Sequence, residues 1–181
     1  MTEMEKVQAI RRARDRREIA KMRIKELVQK WRDINSKATI KREKFSEEDT
    51  ATKFIRPMFE ALGWNFGNID EVREEVTLPD SARRQLLDCV LYVRGTPFAV
   101  VEYKPLVGSG PIDTDYNFEY VIEAAGKLGA KYAVVTRFSE TKIITLDNLA
   151  EQRFEVQAKS DYEERFDELW NTLSKESAIK T

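Results

Sequence analysis

Two short apolar segments interrupted by charged residues place the tightest limit on the fold. The segment LLDCVLYV contains Asp88, and the segment PFAVVEYK contains Glu102 and Lys104. Their content of Leu, Val, Phe and Tyr predicts two buried β-strands. A charge inside a buried strand is unfavourable unless it is paired or ligates a metal. Three charges on two adjacent strands therefore indicate one shared site.

The register of the predicted hairpin decides whether these charges meet. Glu102 and Lys104 are two residues apart, so they face the same side of a strand. If residues 94–96 form the loop, Asp88 lies opposite Glu102 on that face. A two-residue loop would turn the side chains of one strand to the other face. A shared site thus predicts a loop of odd length around Gly95, or a β-bulge.

Facing carboxylates repel each other unless a cation lies between them. Oxygen atoms from Asp88, Glu102, the Tyr103 carbonyl and water suit Mg²⁺, with Mn²⁺ as a second choice. Such an ion can hold a phosphate oxygen and activate water, and Lys104 can position that water or stabilise phosphate charge. This set predicts phosphodiester hydrolysis. The alternative is a structural ion pair of Lys104 with Glu102 or Asp88.

The composition of the chain excludes several other catalytic mechanisms and kinds of site. The chain has no histidine, which excludes Ser-His-Asp and Cys-His catalysis and imidazole zinc ligands. The single cysteine, Cys89, cannot form an internal disulfide, so a reducing compartment is expected. No apolar run is long enough to span a membrane, and the N-terminus lacks an apolar signal-peptide core. We expect a cytoplasmic protein with no membrane partner.

The order of elements predicts an α/β fold, a mixed sheet flanked by helices with a long N-terminal helical arm. Ser46 is a good N-cap, with Asp49 as its capping partner, and Pro57 could kink the helix that follows. The predicted helices are 3–35, 46–62, 115–128 and 160–175, the strands are 71–78, 85–93, 97–103, 131–136 and 142–146, and connecting segments cover 35–45, 79–82 and 105–111.

The charge of the chain is uneven. Residues 1–44 hold 15 Lys and Arg against 7 Asp and Glu, whereas residues 45–181 hold 16 against 25. We therefore divide the chain into a basic helical arm with its connector (1–44) and a catalytic domain (45–181). The arm fits a nucleic-acid contact, and equally a solvated helix or one that docks on the acidic body.

Asp88, Glu102 and Lys104 follow the pattern D-x13-E-x-K, which resembles the PD-(D/E)xK nuclease motif. Residues 46–146 add SEEDTATKFIRPMFEALGW before this pattern and LGAKYAVVT after it. Together they resemble the N-terminal nuclease domain of type I restriction enzyme R subunits, and the related domain of single-chain restriction-modification enzymes. The resemblance implies a restriction-endonuclease-like fold and a Mg²⁺-dependent DNA endonuclease. Its implied partners are double-stranded DNA and motor, methyltransferase or specificity subunits or domains.

The resemblance also implies an acidic helix residue that completes the metal site. Glu47 is the best match, followed by Glu48 and Glu60, although carboxylates also stabilise a helix N-terminus without any metal. The family's Q-x3-Y motif is absent, because Tyr120 and Ala124 stand at its two positions. The alternative function is therefore a catalytically inactive DNA-binding or assembly module with the same fold.

Overall fold

The computed structural model describes residues 2–36, 45–78, 86–106, 112, 115–157 and 159–180. The predicted turn at 79–82, most of the connector at 35–45 and most of the loop at 105–111 lie outside these ranges. The helices are α1 (Glu3–Ser36), α2 (Glu47–Thr50), a π-helical turn (Ala51–Ile55), α3 (Arg56–Ala61), α4 (Asp115–Leu128), α5 (Asp161–Glu164), α6 (Phe166–Leu173) and α7 (Lys175–Lys180). Among the described residues, no helix is long and apolar enough to cross a membrane.

Six strands form one mixed sheet in the order of the chain. They are β1 (Val72–Thr77), β2 (Leu86–Val93), β3 (Thr96–Tyr103), β4 (Tyr132–Thr136), β5 (Glu140–Thr145) and β6 (Glu151–Glu155). Strands β3 and β4 are parallel and α4 connects them, whereas the other neighbours are antiparallel. The predicted α/β fold, a mixed sheet flanked by helices with a long N-terminal helix, is confirmed.

A hydrophobic core covers each face of the sheet. The larger core packs α1, α3 and α5 to α7 against one face, and the smaller core packs α4 against the other. This arrangement explains the near-continuous apolar sequence of β3 and β4, because central strands covered on both faces have no solvent side.

Only the second half of α1 belongs to the core. Its buried residues are Ala20, Ile24 and Val28, and no residue described before Ala20 is buried. Arg16 pairs with Glu176 at 3.1 Å, so the helix is tied to the body just where burial ends. The part of α1 before Arg16 contains no buried residue. The division of the chain at residue 44 stays a prediction.

The helix after Ser46 begins as expected and then departs from α geometry. The Ser46 side chain accepts the Asp49 N–H, and the Asp49 carboxylate accepts the Ser46 N–H, which confirms the capping box. A π-helical turn then precedes Pro57, which has no N–H to donate to the preceding turn. Lys30 of α1 donates to the Lys53 carbonyl at 3.2 Å instead.

Two expectations for the C-terminal third were wrong. Strand β6 was not predicted, because its sequence EQRFE offers one buried apolar residue, Phe154, as suits a charged edge strand. The single helix expected at 160–175 is divided at Arg165 and Ser174, whose backbones leave the α conformation. Its predicted apolar residues are nevertheless all buried: Tyr162, Phe166, Leu169, Trp170 and Leu173.

Candidate active site

The β2–β3 hairpin reaches the required register through a bulge. Arg94 and Gly95 form a two-residue turn, and both have positive φ (52° and 79°), as a type I′ turn requires. Of the two alternatives expected for a shared site, the structure therefore has the β-bulge and not a loop of odd length. One extra residue, Phe98, then restores the register that puts Asp88 across from Glu102. The observed pairs are Val93↔Thr96, Tyr92↔Pro97, Leu91↔Ala99, Val90↔Val100 and Cys89↔Val101.

The structure brings Asp88, Glu102 and Lys104 together. The Lys104 Nζ lies 2.7 Å from the Glu102 Oε1, and their side chains are only 18% and 17% exposed. Asp88 Oδ2 accepts the Tyr103 N–H at 2.6 Å. The Lys104 N–H donates to the Thr136 carbonyl at 2.9 Å, which fixes the end of β3 against β4. The ion pair weighed as a structural alternative is thus present, beside a second carboxylate.

Both carboxyl groups have raised pKa values, and burial is the largest cause for each. Burial raises the pKa of Asp88, and the hydrogen bonds that its carboxylate accepts from the Tyr103 N–H and from the Glu102 carboxyl group offset part of this rise. Burial and then the neighbouring Asp88 raise the pKa of Glu102 to about 7, despite the opposing effect of Lys104. The pair therefore retains a proton close to neutral pH. A bound cation would replace that proton.

Glu47 is near this pair but does not join it directly. It is the first residue of α2 and is exposed. Its pKa is raised by partial burial and then by Asp88, and lowered by Lys104, so its carboxyl group lies within electrostatic range of both. Within the described ranges, no three acidic or cysteine side chains are close enough to hold a metal on their own.

The other two acidic candidates have different surroundings. Glu48 is paired with Arg56 at 3.0 Å and its side chain is 73% exposed. Glu60 lies near the C-terminal end of α3, on the wall of a cavity shared with Arg16 and Arg23 of α1. Of the three, Glu47 is the candidate beside the carboxyl pair, because Asp88 and Lys104 both shift its pKa.

A buried threonine holds α2 against the end of the lysine strand. Thr50 is fully buried, and its Oγ1 accepts the Leu106 N–H at 2.8 Å and donates to the Ser46 carbonyl at 2.9 Å. The chain that leaves Lys104 is thus bonded to the helix that begins with Glu47. This contact explains why residues about 55 positions apart share one electrostatic environment.

Sequence reasoning missed the polar group behind Tyr103. The Tyr103 hydroxyl donates to Glu74 Oε1 at 3.3 Å, and Arg56 Nε donates to the same oxygen at 2.7 Å. Glu74 also contributes to the raised pKa of Asp88. A signal was available, because Glu74 stands between Val72 and Val76 on the apolar side of an alternating strand.

The helix after the lysine strand contributes packing. Ala124 is fully buried, and Tyr120 is half-buried against the smaller core. Position 120 thus lacks the amide, and position 124 lacks the phenol, that the Q-x3-Y pattern places there.

Comparison with known proteins gives one structural match. It is the fragment structure of a protein described as an HsdR subunit of a type I restriction enzyme from Vibrio vulnificus YJ016, with 26% sequence identity and a TM-score of 0.49. The match covers 60% of this chain and 22% of that one. No protein-family model matches the chain, and no curated protein matches it.

Proposed function

We propose that this chain is a Mg²⁺-dependent endonuclease that hydrolyses DNA phosphodiester bonds within a restriction-modification system. The observation that carries the proposal is the placement of Asp88 across from Glu102, with the Lys104 ammonium 2.7 Å from the latter. The choice of DNA, and of a restriction system with its motor, methyltransferase or specificity parts, rests on the motif resemblance.

The donor set fits a hard divalent cation. Mg²⁺ in proteins is usually bound by one or two carboxylates, with water and substrate phosphate completing its ligands. Asp88 and Glu102 would supply the carboxylates. Burial raises the pKa of both and Lys104 offsets only part of this rise, so a bound cation would favour their charged forms. The Tyr103 carbonyl would add an oxygen, because the N–H and C=O of one strand residue leave on the same side and this N–H points to Asp88. Glu47 would act through a water molecule.

Each side chain has a separate task in the proposed reaction. A bound cation would polarise a phosphate oxygen and lower the pKa of a bound water. Asp88 is oriented for this purpose by the Tyr103 N–H. Lys104, held on the same side as Glu102, is placed to orient the attacking water and to stabilise the charge that develops on the phosphate. Mn²⁺ would support the same arrangement.

The direct test is cleavage of supercoiled plasmid by the purified chain with Mg²⁺ or Mn²⁺. We expect cleavage that requires metal and disappears in Asp88→Ala and in Lys104→Ala. Lys127→Ala is the matched control, since it also removes a lysine paired with a glutamate, Glu123, but on the surface of α4. Cleavage that persists in Lys104→Ala, or that is lost equally in Lys127→Ala, would contradict the assignment.

The second candidate is a DNA-binding or assembly module that keeps the fold without activity. The packed positions of Tyr120 and Ala124 favour it, because the polar pair of the related nucleases is missing. Calorimetric titration with Mn²⁺ separates the two. Metal binding that is lost in Asp88→Ala supports a nuclease site, even if cleavage needs a partner. No metal binding by the native chain supports the module.

A further inference from the structure

A second basic residue, Arg137, follows Lys104's neighbouring strand at the carboxyl end of the parallel pair β3 and β4. Tyr103 of β3 and Thr136 of β4 are partners in the ladder, and the Lys104 N–H donates to the Thr136 carbonyl. The next residue on β4 is Arg137. Adjacent strands are about 4.8 Å apart, so Lys104 and Arg137 leave the sheet side by side.

The turn that carries Arg137 is anchored on both sides. Thr136 and Phe138 are fully buried, and the Phe138 N–H donates to Thr136 Oγ1 at 3.0 Å. The Phe138 ring packs between Phe54 and Tyr162, at centroid distances of 5.1 and 5.3 Å. Phe138 has a φ of 64°, which a bulky side chain adopts only when its surroundings impose it.

The strand register places Arg137 on the sheet face that carries Glu102 and Lys104. Val135 belongs to the smaller core and pairs with Glu102, whereas Phe138 belongs to the larger core on the other face. Alternation along the strand places Arg137 on the same side as Val135, which is the side of Glu102 and Lys104. Its N–H donates to the Glu140 carbonyl at 3.0 Å, which closes the β4–β5 turn.

We propose that Arg137 is a DNA phosphate-binding residue that acts beside Lys104, on the phosphate neighbouring the one to be cleaved. The inference rests on the proposed function for the identity of the ligand. A guanidinium offers two parallel N–H groups that match two phosphate oxygens, which a lysine cannot do.

The charge distribution supports this role. Residues 45–181 carry 25 acidic against 16 basic residues, and Asp88, Glu102 and Glu47 are gathered at the site itself. A polyanionic substrate approaching this edge of the sheet needs cations there. Partial burial also lowers the pKa of Arg137, with Glu140 opposing the effect. A partly desolvated cation binds a phosphate more strongly than a fully hydrated one.

The test measures DNA binding without cleavage. Fluorescence anisotropy of a 30-base-pair duplex in EDTA, at several salt concentrations, compares the full chain with Arg137→Gln. We expect about 5- to 20-fold weaker binding and a salt dependence reduced by about one ion. Arg153→Gln is the matched control, because Arg153 also lies near Glu140, with which it pairs at 3.2 Å, but stands two strands away on β6. It should bind as the native chain does.

Two further measurements distinguish the loss of a phosphate contact from a folding defect in Arg137→Gln. Arg137→Lys keeps the charge and should bind with intermediate affinity. In the native chain, DNA should protect Arg137 but not Arg153 from phenylglyoxal, as read by peptide mass spectrometry. Unchanged affinity and salt dependence in Arg137→Gln, equal losses in both glutamine variants, or modification of Arg137 in the presence of DNA would overturn the inference.

The inference and the proposed nuclease activity can fail separately. If the native chain does not cleave but Arg137→Gln still weakens binding, the activity fails and the phosphate contact stands. If the native chain cleaves and Arg137→Gln binds normally, the contact alone is wrong.

Discussion

Replacing Asp88 by Asn should stabilise the metal-free protein at pH 8 and leave it nearly unchanged at pH 5. The reason is the carboxyl pair near the start of β2 and the end of β3, where burial and Asp88 together raise the pKa of Glu102 from 4.5 to about 7. The Asn side chain keeps an oxygen that can accept the Tyr103 N–H, so the variant removes a charge and retains the hydrogen bond.

The magnitude follows from proton linkage. The folded protein holds a proton on Glu102 over a range in which the unfolded chain has lost it. The resulting stability is fully present below pH 4.5, is lost progressively as pH rises, and is gone above about pH 7. The full loss corresponds to about 3 kcal/mol as an upper limit. Burial is the larger cause and persists in the variant, so we expect Asp88→Asn to recover about 1 kcal/mol at pH 8.

Urea unfolding in EDTA at pH 5 and pH 8 measures this difference. Asp147→Asn is the control, because Asp147 is an exposed turn residue. Adding Mg²⁺ should then reverse the order at pH 8, since a ligand that binds only the folded native site stabilises it by mass action.

One result would refute the reasoning. If Asp88→Asn lowers the free energy of unfolding equally at both pH values, and Mg²⁺ stabilises neither protein, then Asp88 serves a structural ion-pair network. The proposed metal site would then be wrong.

Three further predictions concern the scaffold. Thr50→Val keeps the shape but leaves the buried Leu106 N–H without its acceptor, so urea unfolding should show a loss of about 2 kcal/mol; a loss below 0.5 would contradict the role given to this bond. Burial in α1 begins only at Ala20. Deleting residues 2–14 should therefore change the free energy of unfolding by less than about 1 kcal/mol, whereas Ile24→Ala should lower it by about 2–5 kcal/mol. Cys89 is fully buried and its pKa is raised to about 12, so a thiol reagent at pH 8 should label it only as fast as the protein unfolds; rapid labelling of folded protein would show that the strand opens locally.

The elements that could be predicted from sequence are those whose signal is local. Helix α4 was predicted at the bounds observed, and α1 to within one residue, because their apolar residues recur at helical spacing over many turns. The capping box at Ser46 and Asp49 depends on residues three positions apart, so it too was visible. Strand β6 and the breaks in the C-terminal helix depend on what the chain packs against, which a local pattern does not record.

Part of the candidate site could also be predicted from sequence, and part could not. Asp88, Glu102 and Lys104 were identified because charge inside an apolar strand is visible in the sequence, and the shared face of Glu102 and Lys104 follows from the two-residue period of a strand. Whether Asp88 shares that face depended on a turn of two residues and a bulge at Phe98. The sequence spacing alone was compatible with several combinations of turn length and bulge.

The contacts around the site were decided by tertiary structure. Arg56 and Glu74 come from a helix and an edge strand that are far apart in the chain, and they meet at the Tyr103 hydroxyl because the sheet and the helix packed on it bring them together. The sequence by itself determined which residues carry the carboxylate and ammonium groups that the proposed site requires. Tertiary structure decided which of them face each other. Strand register and helix packing depend on interactions summed over the whole core, so they cannot be predicted from a short segment of sequence.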